Sequence, residues 1–128
     1  DADTDEVIVA SGVQGSLVDA LAASGPAAAT GTPVLLVRQG SVPGVTAEAL
    51  EVFDSSVVVG GELAVDDEVL GELPDPVRVS GTDRWRTAVA VADHYVAQGM
   101  DSSSVAVASG IEGNMVDALP GGTLGSWF

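Results

Sequence analysis

Two loops in this chain carry the residue types that could hold an anion or a sugar hydroxyl. Ser11-Gly12-Val13-Gln14-Gly15 and Ser109-Gly110-Ile111-Glu112-Gly113 each stand where a run of β-branched residues gives way to a helical pattern. A strand end followed by a helix start presents free backbone N–H groups at the positive end of the helix dipole. Ser11, Gly12 and Gly15 are therefore candidate ligand contacts. Neither loop is a full dinucleotide fingerprint or a Walker loop, and tight turning of the chain is the simpler account of the glycines. Asp19 and Asp117 follow at the same distance in the two copies. A carboxylate there accepts from sugar hydroxyls or from an arginine, or it simply occupies a first helical turn, where the dipole favours it. Gly60-Gly61 reads as a turn that lets a helix pack closely.

The segment Arg78-Val79-Ser80-Gly81-Thr82-Asp83-Arg84-Trp85-Arg86-Thr87-Ala88 concentrates three of the four positive charges. Two of them fall in a first helical turn, where the dipole disfavours cations, so something must compensate. Pairing with Asp83 or other carboxylates would pin strand to helix. Alternatively, some of these arginines present a guanidinium fork to an anionic ligand. His94, the only histidine, is expected on a solvated helix face. No cysteine is present and no nucleophile stands at a recognisable spacing from a base, so neither a thiolate metal site nor a catalytic centre is expected. Asp66-Asp67-Glu68 lacks the glycine and spaced acceptors of a calcium loop and reads as a helix N-terminus. No metal and no cofactor are expected.

The charge balance excludes whole classes of partner. Nineteen carboxylates against four arginines and no lysine give a formal net charge of -15. Such a surface repels nucleic acid and anionic membranes, whose binding depends on Lys and Arg neutralising phosphates. Adaptation to high salt explains the acidity, because the Debye length falls to about 3 Å at molar salt; an acidic extracellular surface is the alternative. The 46% apolar content points to a folded domain. Residues 20–37 are broken by Gly25, Pro26, Gly31 and Pro33, so no membrane insertion is expected. A start at Asp1 without Met fits a processed or excised segment.

The elements that must position these residues read as strands alternating with helices. Residues 7–10, 34–37, 57–59 and 105–108 are nearly continuous apolar runs, as expected of strands covered on both faces, and 77–80 reads as an edge strand. Helices are expected over 16–30, with Pro26 kinking or dividing it, and over 46–53, 66–73 and 84–98, the last closed by Gly99. On that last helix Trp85, Ala88, Val89, Ala92 and Val96 form the expected core stripe. The pattern predicts one α/β domain over 1–128 with a mostly parallel central sheet.

Residues 7–21 return as 105–119 with mild changes, so the chain is cut from a repeat array. The Arg78-to-Ala88 segment resembles the signature R-[IV]-S-G-x-D-R-[YFW]-x-T-A of the cell wall binding repeat 2 family. In order with it, Val9 to Leu21 and Val107 to Leu119 resemble that family's ASG…DAL element. Gly25-Pro26-Ala27-Ala28 resembles GPLAA, Pro33-Val34-Leu35-Leu36 resembles PILL, and Val58-Val59-Gly60-Gly61 with Ala64-Val65 resembles IGG…AVS.

The resemblance implies a Rossmann-like or Toprim-like three-layer α/β module that anchors surface proteins noncovalently to anionic wall polymers of Gram-positive bacteria. Family modules come as three tandem copies in a pseudo-trimer, with the PILL region associated with the polymer. By that analogy Pro33, Leu35, Leu36 and Arg84 are candidate contacts, while Arg78, Ser80, Gly81, Asp83, Trp85, Gly60, Gly61 and Asp117 hold the fold. The usual aromatic before the DAL element is missing, and residues 120–128 do not follow the first copy. A lone permuted module with an overlapping end is expected to find its neighbours on other chains, with Trp127 and Phe128 as docking residues. The expectation is a non-enzymatic, extracellular, cell-surface module that binds an envelope polysaccharide or surface glycoprotein and forms a homo-oligomer. The alternative is a structural subunit that self-assembles at the surface, and a third is an enzyme or nucleotide-binding domain using the Ser-Gly loops.

Overall fold

A computed structural model describes residues 5–101 and 103–111. Its elements run β1 (Glu6–Ser11), a 3-10 turn (Gln14–Ser16), α1 (Leu17–Thr30), β2 (Val34–Val37), α2 (Gly44–Leu50), β3 (Ser55–Val59), α3 (Asp67–Leu70), β4 (Pro76–Val79) and α4 (Arg84–Ala97). The four strands form one parallel sheet in the order β2-β1-β3-β4. Parallel neighbours need crossovers, and here each crossover contains a helix.

Alternation along the strands divides two cores. Val7, Val9 and Val58 point to the layer of α2 and α3, meeting Leu50, Val65, Val69 and Leu73. Ile8, Val57, Val59 and Val79 point the other way, to Ala23 of α1 and to Val91 and Tyr95 of α4. The result is a three-layer α/β/α module, the Rossmann-like or Toprim-like class that the sequence predicts. Burying each of these Val or Ile side chains contributes about 1.5–3 kcal/mol. β1 lies in the middle of the sheet, and its Val7 to Ala10 are fully buried.

Four expectations are corrected. Residues 105–108 do not join the sheet, and Val105 and Val107 are exposed. They copy β1, whose sequence suits a central place between β2 and β3, and β1 already fills the one such place the sheet has. Helix α1 runs unbroken through Pro26, which is buried. A residue before proline normally avoids the helical region because its Cβ is crowded, and the residue here is Gly25, which has none.

The inward stripe of α4 is Thr87, Val91 and Tyr95, not the Trp85 stripe. Trp85, Val89 and Val96 are exposed. Hydrogen bonding, which apolar periodicity cannot register, sets the rotation of the helix: Gly81 N–H donates to Thr87 Oγ1 at 3.0 Å and turns Thr87 inward. His94 is likewise only half-exposed, its ring edge-on to Tyr95 at 4.9 Å and within 3.0 Å of Gln98.

Helix α3 begins at Asp67 with Asp66 as its N-cap, matching the helix-start reading of Asp66-Asp67-Glu68. It ends at Leu70, and α2 starts at Gly44 behind Pro43. Gly99, at φ 103°, follows the α4 C-terminus as expected. Among the described residues no helix is long and apolar enough to cross a membrane.

Candidate functional site

The strand order places β2 and β3 on opposite sides of β1, so the crossovers after β1 and β3 leave in opposite directions. Outside the carboxyl ends of strands at such a switch point, open α/β sheets form a crevice. Here that crevice is a cavity of about 410 Å³. Gly15, Ser16 and Asp19 come to it from the β1–α1 connection, Gly61 to Ala64 from the β3–α3 loop, and Gly81 to Arg84 with Thr87 from the β4–α4 loop.

Asp19 is the buried charge of the site. It shares the inward stripe of α1 with Ala23 and Pro26 and is 8% exposed, although it stands in the first helical turn. Burial raises its carboxyl above the ordinary carboxylate range, and the nearby positive charge of Arg84 opposes that rise. The carboxylate fits because residue 60 is glycine: a Cβ there would lie 2.7 Å from Asp19 Oδ2 and 3.1 Å from Ala64 Cβ. Gly60 also holds φ at 116°, a conformation that L side chains rarely adopt.

The arginine-rich segment builds the opposite wall. Arg78 clamps the β3–α3 loop, donating from Nη1 to Gly60 O at 2.6 Å and from Nη2 to Val65 O at 2.8 Å and Asp67 Oδ1 at 2.9 Å. Asp83 caps α4 by accepting from Arg86 N–H at 2.7 Å, and its other oxygen pairs with the Arg86 guanidinium. The Arg86 N–H, with the Arg86 guanidinium, holds the Asp83 carboxyl below the ordinary range. Gly81 lets the first turn of α4 close onto the loop, since a Cβ there would collide with Arg86 Cβ. Ser80 is half-buried between β4 and that loop. Of the first-turn arginines, Arg86 thus has its carboxylate, and Arg84 donates from Nη1 to Gly110 O at 2.8 Å.

Glu62, at the cavity rim, shares a hydrogen bond with Asp67 that pushes its own carboxyl up and that of Asp67 down. The lining thus offers acceptors at Asp19, Asp83 and Glu62, a cation at Arg84 and a hydroxyl at Thr82. That set suits hydrogen bonding to a hydroxyl-rich ligand. No group of acids and histidines among the described residues could hold a metal ion.

The structure brings Gly15, Asp19 and Arg84 together and places Gly61, Gly81 and Asp83 beside them. Ser11 is buried, its Oγ accepting from Val13 N–H at 3.0 Å, and Gly12 is exposed next to Leu36. Pro33, Leu35 and Leu36 stay apart on the edge strand β2. Pro33 lies at its start, Leu35 packs toward the α2 and α3 layer, and Leu36 faces the other way, 43% exposed. Asp117, Trp127 and Phe128 lie outside the described residues. Sequence reasoning did not assign Glu62, Leu63, Thr82 or Thr87 to the site. Only Thr87 left a signal, as the invariant threonine of the quoted signature.

Comparison with known proteins places this geometry. Residues 2–70 match the family "Cell wall binding domain 2 (CWB2)". Over 100 residues, 77% of this chain, the sequence is 30% identical to the N-acetylmuramoyl-L-alanine amidase LytC of Bacillus subtilis (strain 168), covering 19% of that protein. The solved structure of Cwp8 from Clostridium difficile matches all of this chain and 22% of its own at a TM-score of 0.78 and 29% identity. Cwp6 from Clostridium difficile matches 90% of this chain and 18% of its own at a TM-score of 0.80 and 20% identity, a likeness of fold. The chain spans about a fifth of the length of each of these relatives.

Proposed function

The chain belongs to the Cell wall binding domain 2 family, and from that premise we propose that it is a non-enzymatic, extracellular module that binds a cell-wall glycan polymer noncovalently. The observation that carries this reading is the cavity at the switch point, with the buried Asp19 on one wall and Arg84 on the other. A buried carboxylate without a ligand is costly, and sugar hydroxyls donating to it offset that cost. Arg84, Thr82 and the N–H groups at the start of α1 complete the donors and acceptors. With a net charge of -15, the module recognises hydroxyls rather than phosphates at low salt.

Cosedimentation with purified cell walls tests this. Binding is expected to intact walls, to fall on walls stripped of their secondary polymer, and to be lost in Asp19→Asn. Equal binding to stripped walls, or undiminished binding by Asp19→Asn, overturns it.

A second reading, a subunit that self-assembles at the cell surface, is favoured by Trp85 and Val89, one turn apart on the outer face of α4 and 56% and 60% exposed. Mass in solution at high salt tests it, and a clean monomer overturns it.

A further inference from the structure

Two of the glycines that line the cavity have no packing reason to be glycine. A Cβ on Gly15 or on Gly61 would meet nothing within 4 Å among the described residues, and neither backbone lies in the left-handed region. Gly60 and Gly81 beside them are the opposite case, since a Cβ on either would collide with the protein itself. The space that Gly15 and Gly61 leave open belongs to the cavity. Leu63, on the β3–α3 loop, is equally unexplained by the fold: it lines the same cavity and is 90% exposed, while the next residue, Ala64, is buried.

The lining therefore combines three features that plain sugar hydroxyls do not use together. Asp19 supplies a buried acceptor, Thr82 an exposed hydroxyl, and Leu63 an apolar surface at the rim. A few placed polar groups beside apolar surface are what orient a small ligand group. An acetamido substituent matches each of the three: its N–H donates, its carbonyl oxygen accepts and its methyl is apolar. We infer that the cavity takes an N-acetylated amino sugar of the wall glycan, the acetamido N–H donating to Asp19, the carbonyl accepting from the Thr82 hydroxyl and the methyl lying against Leu63. Gly15 and Gly61 admit the group because no side chain stands in the space it fills. A hexose with a hydroxyl at that position leaves Leu63 uncovered, and so binds more weakly.

This assignment rests on the glycan-binding reading and adds the class of sugar to it. Saturation-transfer NMR on the whole chain tests it, comparing N-acetylglucosamine and N-acetylgalactosamine with glucose and galactose, and with acetylated tri-alanine amide, which carries amides and methyls without a sugar ring. The acetyl methyl of at least one acetamido sugar is expected to receive several-fold more saturation than its ring protons, and than any proton of the hexoses or the peptide. Leu63→Ser is expected to cut that methyl signal several-fold and Gly61→Val to abolish it. Both variants are expected to keep the melting temperature of the parent, because Leu63 is exposed and position 61 has open space for a side chain. No methyl signal from either acetamido sugar, equal signals from the hexoses or the peptide, or a methyl signal indifferent to both substitutions overturns the assignment. Cosedimentation with walls that persists beside such a result overturns the sugar class alone and leaves glycan binding standing.

Discussion

Asp19 Oδ2 lies 2.7 Å from the point where a side chain on Gly60 would begin, so the buried carboxylate of α1 and the turn after β3 exclude any residue but glycine between them. Positive φ adds to the constraint. Gly60→Ala should lower stability by about 2–3 kcal/mol, through backbone strain and displacement of Asp19. Urea denaturation measures this, and a loss below about 0.5 kcal/mol, the usual range for surface substitutions, would show that the turn has another conformation.

Asp19 itself sets a pH dependence. Because burial raises its carboxyl in the folded state, its contribution to stability is full below the ordinary carboxylate range and is lost as pH rises through the raised value. Asp19→Asn should remove that dependence and melt a few degrees higher at neutral pH while losing wall binding, as expected where a strained group serves a ligand. Thermal melts across pH 3–8 check it, about the span in which carboxylates titrate.

Asp83 behaves oppositely. Its carboxyl is held low by the Arg86 N–H bond, so its stabilisation is full above the ordinary range and fades as pH falls through the lowered value. Asp83→Ala should lower the melting temperature by several degrees at neutral pH and by little in acid. Equal losses at both pH values would count against the cap.

Tyr95 is 2% exposed, and its hydroxyl finds no hydrogen-bond partner among the described residues. The same burial, with the charge of Glu6, raises its phenol well above the usual range. Tyr95→Phe should therefore stabilise the module by about 1 kcal/mol, since an unsatisfied buried group costs that much or more. A destabilised variant would reveal a partner.

Salt should stabilise this module. A net charge of -15 repels itself through a Debye length of about 10 Å at 0.1 M and about 3 Å at 1 M, so melting temperature should climb steeply between those concentrations. A flat profile would speak against adaptation to high salt.

Much of this fold is written in hydrophobic patterning. The strand residues Val57–Val59 are buried because helices cover both faces, and a continuous run of Val conveys that directly, whereas the equally apolar Val34–Val37 lies at the sheet edge with Leu36 exposed. The rotation of α4 was hidden, because it depends on one hydroxyl, that of Thr87, reaching back to Gly81. The site was legible in part. Asp19 stands out by its repeat position and Arg84 by its charge within the family signature, whereas Glu62 and Thr82 reach the cavity only through the sheet order. Thr46 was equally silent: its buried hydroxyl donates to Leu36 O at 2.9 Å and ties α2 to the edge strand.

The repeated strand sequence creates a problem of identity during folding. One chain holds two segments suited to the central place in the sheet. Ile8 resolves the competition: it is the largest fully buried side chain, and its counterpart is Ala106. The later segment in that place would leave a hole among Ala23, Val57 and Val91, at a cost of about 2–5 kcal/mol. The earlier segment also leaves the ribosome first, so synthesis order and side-chain size favour the same strand. A difference of three carbon atoms between near-identical copies thus decides which of the two segments takes the central place in the sheet.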